Sequence, residues 1–167
     1  GRDQVVSLGT NGKMSEVSAA MGLVGLEHLE EFIAVNQRNY QAYQGIFNDL
    51  PGLKLIRYDE NESQNYQYII VEIDQEKTGI NRDGVVDILT AENILARRYF
   101  FPGCHQMEPY RSLYPDARNH LPETEKLTQR VMSLPNGTAI TTEDIDKIGC
   151  LLGFVIQHSD EINARHA

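Results

Sequence analysis

The stretch Gly9-Thr10-Asn11-Gly12-Lys13-Met14-Ser15-Glu16-Val17-Ser18-Ala19-Ala20-Met21-Gly22-Leu23 decides how the rest of this chain is read. A polar loop with an amide (Asn11) and an amine (Lys13) ends at Ser15, a residue suited to cap a helix. Val17, Ala20, Met21, Val24, Leu29, Phe32, Ile33, Tyr40, Tyr43 and Phe47 then recur at helical spacing, until Pro51-Gly52 stops the pattern. The spacing predicts one long helix, or two consecutive ones, over residues 15–50. At 1.5 Å per residue such a helix would be ~50 Å long, so a bend or a piece projecting toward a partner is expected. Ala19, Gly22 and Gly25 lie every three residues along one side. Glycine inside a helix costs ~1 kcal/mol against alanine. That small face therefore predicts close approach of another backbone, from the same protein or from a second subunit.

Beyond the Pro-Gly stop the periodicity changes. Residues 53–56 and, more strongly, 66–73 read as strands rich in β-branched and aromatic residues, with a polar loop between them. Asn81 caps a predicted helix to about residue 93, with Val85, Val86, Leu89 and Ile94 inward. A third strand is expected over 96–100 and a loop over 102–121. Pro122 suits the first turn of a short helix to about residue 130, followed by a fourth strand at 131–134. Thr141 or Thr142 starts the last helix, whose core face is Ile145, Ile148, Leu152, Val155 and Ile156. Residues 159–167 read as a frayed tail. The expected fold class is α+β, an α/β sandwich: a long N-terminal helix, then a small, mostly antiparallel sheet with helices on one face.

The 167 residues are enough for one core of ordinary size. The net charge of −9 argues against nucleic acid or an anionic membrane as partner, though not against a small anionic ligand. Cys104 and Cys150 form no CxxC pair and no disulfide framework, which suits reduced thiols in a cytoplasmic protein. No apolar run approaches the roughly 20 residues of a membrane span.

Two stretches carry possible chemistry. Asn11, Lys13 and the free N–H groups ahead of a helix suit an anion, and equally a solvated loop and cap. The second is Ala96-Arg97-Arg98-Tyr99-Phe100-Phe101-Pro102-Gly103-Cys104-His105. Strand alternation would place Arg97, Tyr99 and Phe101 on one side and Arg98 and Phe100 on the other. Guanidinium and aromatic groups at a strand end suit an anionic, partly planar ligand, or else one solvated arginine and a core aromatic pair. Cys104, His105 and His120 make a poor metal site, because adjacent residues of an extended segment do not converge on one ion.

Both stretches resemble the DegT/DnrJ/EryC1/StrS family of PLP-dependent sugar aminotransferases, and the second is similar to its branch acting on dTDP-4-keto-6-deoxyglucose. The resemblance implies the small-domain part of PLP-dependent transferase fold type I. It also implies a homodimer in which Asn11 reaches the PLP phosphate of the partner subunit. Lys13, Arg97, Arg98, Tyr99 and His105 fall on positions near the nucleotide-sugar substrate. The Schiff-base lysine, its acid partner and the ring-stacking residue belong upstream of Gly1, and no methionine precedes Met14. No catalytic residue is therefore assigned here. The chain is expected to be a C-terminal fragment lacking the N-terminal large domain, and to bind PLP weakly or not at all by itself. Its implied organisation is residues 1–50 as connecting loop and long helix, 51–158 as small domain and 159–167 as tail. The parent would transfer an amino group from glutamate to a keto-deoxysugar nucleotide. The alternative is a stand-alone, truncated dimerisation or ligand-binding module derived from that family.

Overall fold

A computed structural model describes residues 12–59 and 61–166. The chain divides into two compact units between Glu31 and Phe32. The first contains α1 (Glu16–Glu27) and the opening turn of α2 (Leu29–Phe47). The expected long helix is thus two consecutive helices, interrupted at His28. Ser15 caps α1 as its sequence implies, its Oγ accepting from the Ser18 N–H at 3.2 Å. No residue of α1 is buried, and a Cβ on Gly22 or Gly25 would meet no atom of this unit within 4 Å.

The second unit holds the core. Its sheet consists of β1 (Leu53–Leu55), β2 (Ile69–Ile73), β3 (Arg97–Arg98) and β4 (Val131–Leu134), in the order β1-β2-β4-β3. Every pairing is antiparallel, and the register sets Val71 opposite Met132 and Met132 opposite Arg98. Because side chains alternate, Leu53, Leu55, Ile69, Val71, Ile73, Met132 and Leu134 share one face and are buried. They form a single cluster with Tyr43 and Phe47 of α2 and with Val85, Val86 and Leu89 of α4 (Arg82–Ala91). Ile145, Ile148, Leu152 and Val155 of α8 (Thr142–Gln157) complete it. On the opposite face, Lys54, Ile70, Glu72, Ser133 and Arg97 all keep some contact with solvent. Asn81 caps α4, and Thr141 caps α8 with a reciprocal capping box through Asp144.

Two buried polar groups tie the long elements together. Asn39 of α2 donates to Asn136 Oδ1 (3.0 Å) and to the Gly137 carbonyl (3.1 Å), and Tyr43 donates to the Pro135 carbonyl at 3.0 Å. These bonds fix the turn after β4 against α2. Burial of the Tyr43 ring pushes its phenol pKa well above the ordinary range.

The sequence reading needs correction in three places. The third strand is only Arg97–Arg98, because the chain turns at Tyr99 and Phe100. The expected loop over 102–121 contains a 3-10 turn at Cys104–Gln106 and the single-turn helices α5 (Tyr110–Leu113) and α6 (Ala117–His120). The expected frayed tail is instead helix α9 (Ser159–His166). Its anchor is the turn after α3 (Gln75–Thr78), where Asn163 Nδ2 donates to the Gly79 carbonyl at 2.8 Å. Gly79 has φ +71 and lies directly beneath Ser159, so a side chain there would collide with that residue. A polar octapeptide has no local signal for this docking.

Candidate functional site

The candidate site is the segment that leaves β3. Arg97 and Arg98 are on the edge strand, paired with Ser133 and Met132, and the Tyr99 N–H still donates to the Val131 carbonyl at 3.3 Å. Phe100 then takes φ +47, a left-handed conformation that ends the strand. Strand alternation therefore fails at this residue. The Phe100 ring lies 4.4 Å from that of Tyr99, and Tyr68 meets Tyr99 edge-on at 5.7 Å. Phe101, expected beside Arg97 and Tyr99, lies instead against Arg82 (5.1 Å) and Arg98 (5.7 Å). Arg97 is exposed on the Tyr99 side of the sheet. Burial raises the Tyr99 pKa, so its hydroxyl stays protonated at neutral pH.

Arg82 anchors the inner side. The residue is 1% exposed. Nη1 donates to the carbonyls of Thr128 (2.8 Å) and Val131 (2.7 Å), and Nε donates to Asp83 Oδ1 at 2.6 Å. Thr128 ends α7 (Pro122–Thr128) and Val131 starts β4, so one guanidinium joins α4 to both. Nη2 is buried without a partner. Asp83 also receives Arg98 Nε at 2.8 Å, and Asp87 lies 3.6 Å from Arg98 Nη2. Arg98 is thus turned toward α4, away from Arg97 and Tyr99.

Past Phe101 the chain is held by a carboxylate. Gly103 has φ +99, and a Cβ there would come within 2.8 Å of His105 Cε1. The His105 ring packs over this glycine and sets Nε2 2.6 Å from Glu125 Oε1. Gln106 Nε2 donates to the same oxygen, and Arg118 Nε donates to Oε2 at 2.9 Å. The hydrogen bond from His105 and those from Arg118 and Gln106 outweigh the opposing effect of burial and bring the Glu125 pKa down to about 2. His105 and Glu125 side chains are only 10% and 17% exposed.

Of the residues singled out in the sequence, Arg97 is exposed and Tyr99 lies partly buried between Tyr68 and Phe100. Arg98 is engaged by Asp83 and Asp87, and His105 by Glu125. Lys13 is exposed in the first unit, and Asn11 lies outside the described residues. Arg82 and Glu125 were not foreseen, because each reads locally as an ordinary helix-surface charge. No group of three potential metal ligands occurs among the described residues. Lys13, Lys54, Lys77, Lys126 and Lys147 are all exposed.

Comparison with known proteins shows the family. The sequence profile of the DegT/DnrJ/EryC1/StrS aminotransferase family matches residues 2–152. A dTDP-4-amino-4,6-dideoxy-D-glucose transaminase of Escherichia coli is 34% identical over 148 residues, 89% of this chain and 40% of its own length. A transaminase of the same description from Shigella dysenteriae is 30% identical over 145 residues, 84% of this chain and 38% of its own. Among solved structures, DesI in the presence of its TDP-sugar product is 48% identical with a TM-score of 0.85. That match covers 95% of this chain and 40% of DesI. The chain thus spans about 40% of the length of the relatives it matches.

Proposed function

Since the chain belongs to the DegT/DnrJ/EryC1/StrS aminotransferase family, we propose that it is the C-terminal portion of a PLP-dependent nucleotide-sugar aminotransferase. The whole protein moves an amino group from glutamate to a keto-deoxysugar carried on a nucleotide, and works as a homodimer. The observation that carries this reading is the near-complete coverage of the chain by DesI, together with the exposed Arg97 beside Tyr99.

PLP, when bound, supplies the electron sink through which an amino group passes between donor and acceptor. In this reading that chemistry belongs to residues outside this chain, and the exposure of its five lysines is consistent with that. What the chain contributes is substrate binding. Arg97 offers a planar set of donors to a diphosphate, and the Tyr99 ring offers a face for an apolar or planar part of the ligand. Glu125, through His105 and Gln106, keeps the segment after Phe101 closed against α7. Arg82 and Arg98 hold Phe101 from below. In the dimer, Asn11 reaches the PLP phosphate of the partner subunit and Lys13 lies near the substrate.

The test is an amino-transfer assay on the full-length protein, with PLP, glutamate and dTDP-4-keto-6-deoxyglucose. Equal amounts of 2-oxoglutarate and amino sugar are expected, and neither from the 167-residue chain alone. Absence of both products from the full-length protein with every nucleotide keto sugar tried would overturn the reading. A PLP–lysine adduct on the isolated chain after borohydride reduction would overturn the assignment of the cofactor to other residues.

A further inference from the structure

Among the described residues, three that carry a Cβ have positive φ: Tyr66 (50°), Asn93 (60°) and Phe100 (47°). The left-handed region is unfavourable for such residues and least so for asparagine, so Asn93 is explained by its type. Tyr66 is explained by packing. Its ring meets Tyr40 at 5.4 Å and Tyr58 at 5.1 Å, and its carbonyl accepts from Asn136 Nδ2 at 2.6 Å. Phe100 has neither justification. It is 65% exposed, and its aromatic neighbour is Tyr99 alone.

The strain has one visible effect. In a continuing strand Phe100 would point to the Arg98 face, opposite Tyr99. The left-handed turn instead brings the rings of residues 99 and 100 to 4.4 Å from each other, at the end of the edge strand that carries the exposed Arg97. A bulky aromatic held in an unfavourable conformation with its ring in solvent adds nothing to the packing of this unit, and such outliers gather at ligand sites.

We propose that Phe100 is a specificity-determining residue. With Tyr99 it forms an aromatic wall against which the apolar or planar part of the nucleotide sugar packs, while Arg97 takes the diphosphate. The proposal rests on the aminotransferase reading above and adds to it a residue whose backbone is strained for that purpose.

The full-length enzyme allows a test in which stability and binding move in opposite directions. Phe100→Asn and Phe100→Gly both tolerate the left-handed region and remove the ring, whereas Phe100→Leu keeps the strain and part of the apolar surface. In the first two, the melting temperature is expected to stay level or rise by about 2 °C. The KM for the nucleotide sugar is expected to rise about tenfold, with kcat and the KM for glutamate changed less than about twofold. Phe100→Leu should lie between these variants and the wild type in sugar KM. A melting temperature lowered by several degrees in both Asn and Gly variants would overturn the proposal, because the ring would then be packed against the rest of the protein. An unchanged sugar KM in an active enzyme would overturn this proposal alone. A wild-type protein that transfers no amino group to any nucleotide keto sugar would remove the functional reading and the proposal together.

Discussion

The two sides of the segment from Arg97 to His105 differ in what their polar and aromatic groups are used for. On the inner side, Arg82 is bonded to backbone carbonyls and almost fully buried, Arg98 is paired with Asp83 and Asp87, His105 is bonded to Glu125, and Phe101 lies against the two arginines. On the outer side, Arg97 and Phe100 are exposed, the Tyr99 and Phe100 rings meet, and Phe100 occupies a backbone conformation that its own packing does not explain. Arg97 and Arg98 are neighbours of identical chemistry in different surroundings, Arg97 exposed and Arg98 paired with Asp83 and Asp87. The lesson is that a motif rich in arginine, aromatics and histidine is not uniformly a ligand site, since about half of this one is scaffolding for the other half.

The largest effect should come from breaking the inner side. Arg82→Met takes the guanidinium donor from the Thr128 carbonyl, leaves the Val131 carbonyl with only the longer bond from the Tyr99 N–H, and removes the charge beneath Phe101. A loss of about 3 kcal/mol is expected in urea unfolding. A loss below about 1 kcal/mol, the size of an ordinary surface change, would show that the guanidinium is not an anchor. On the outer side, Arg97→Ala should leave stability within about 0.5 kcal/mol and raise the KM for a nucleotide sugar about tenfold in the full-length enzyme. A clear stability loss without a change in KM would erase the distinction between the two arginines.

The smallest expected effect is on acid stability. Glu125 in the fold titrates near 2 rather than at the ordinary 4.5. A carboxyl depressed in this way contributes fully above about pH 4.5, and the contribution is lost as pH falls toward 2, because the unfolded chain takes up the proton first. Glu125→Gln should therefore flatten the acid limb of the stability curve over that window. Urea midpoints measured at several pH values across it would check this, and a limb as steep as the wild type's would show that Glu125 is not the group being titrated.

Much of the architecture was legible because its signals are local. The hydroxyl and amide caps Ser15, Asn81 and Thr141, the β-branched and aromatic run over residues 66–73 (strand at Ile69–Ile73) and the Pro-Gly stop all act within a few residues of themselves. Helix α9 was not legible, since its anchor is the Gly79 turn, remote in sequence. Of the candidate site, Arg97 and Tyr99 were read correctly as sharing a side, but Phe101 was not. The alternation rule assumes that a strand continues, and the left-handed residue at 100 violates that assumption. Arg82 and Glu125 escaped notice because a charge on a helix looks solvated until its distant partners are known.

Residue type and spacing by themselves determined the α+β class and the order of most elements, and the resemblance of two stretches pointed to the family. Local propensity and hydrophobic period are properties of neighbouring residues, so they can be read from the chain directly. Only the tertiary structure decided which charges are internal, which aromatic rings meet, and where the backbone departs from its preferred regions. Those depend on groups far apart in sequence, such as the two carbonyls 46 and 49 residues from Arg82, which come together only when the core has formed.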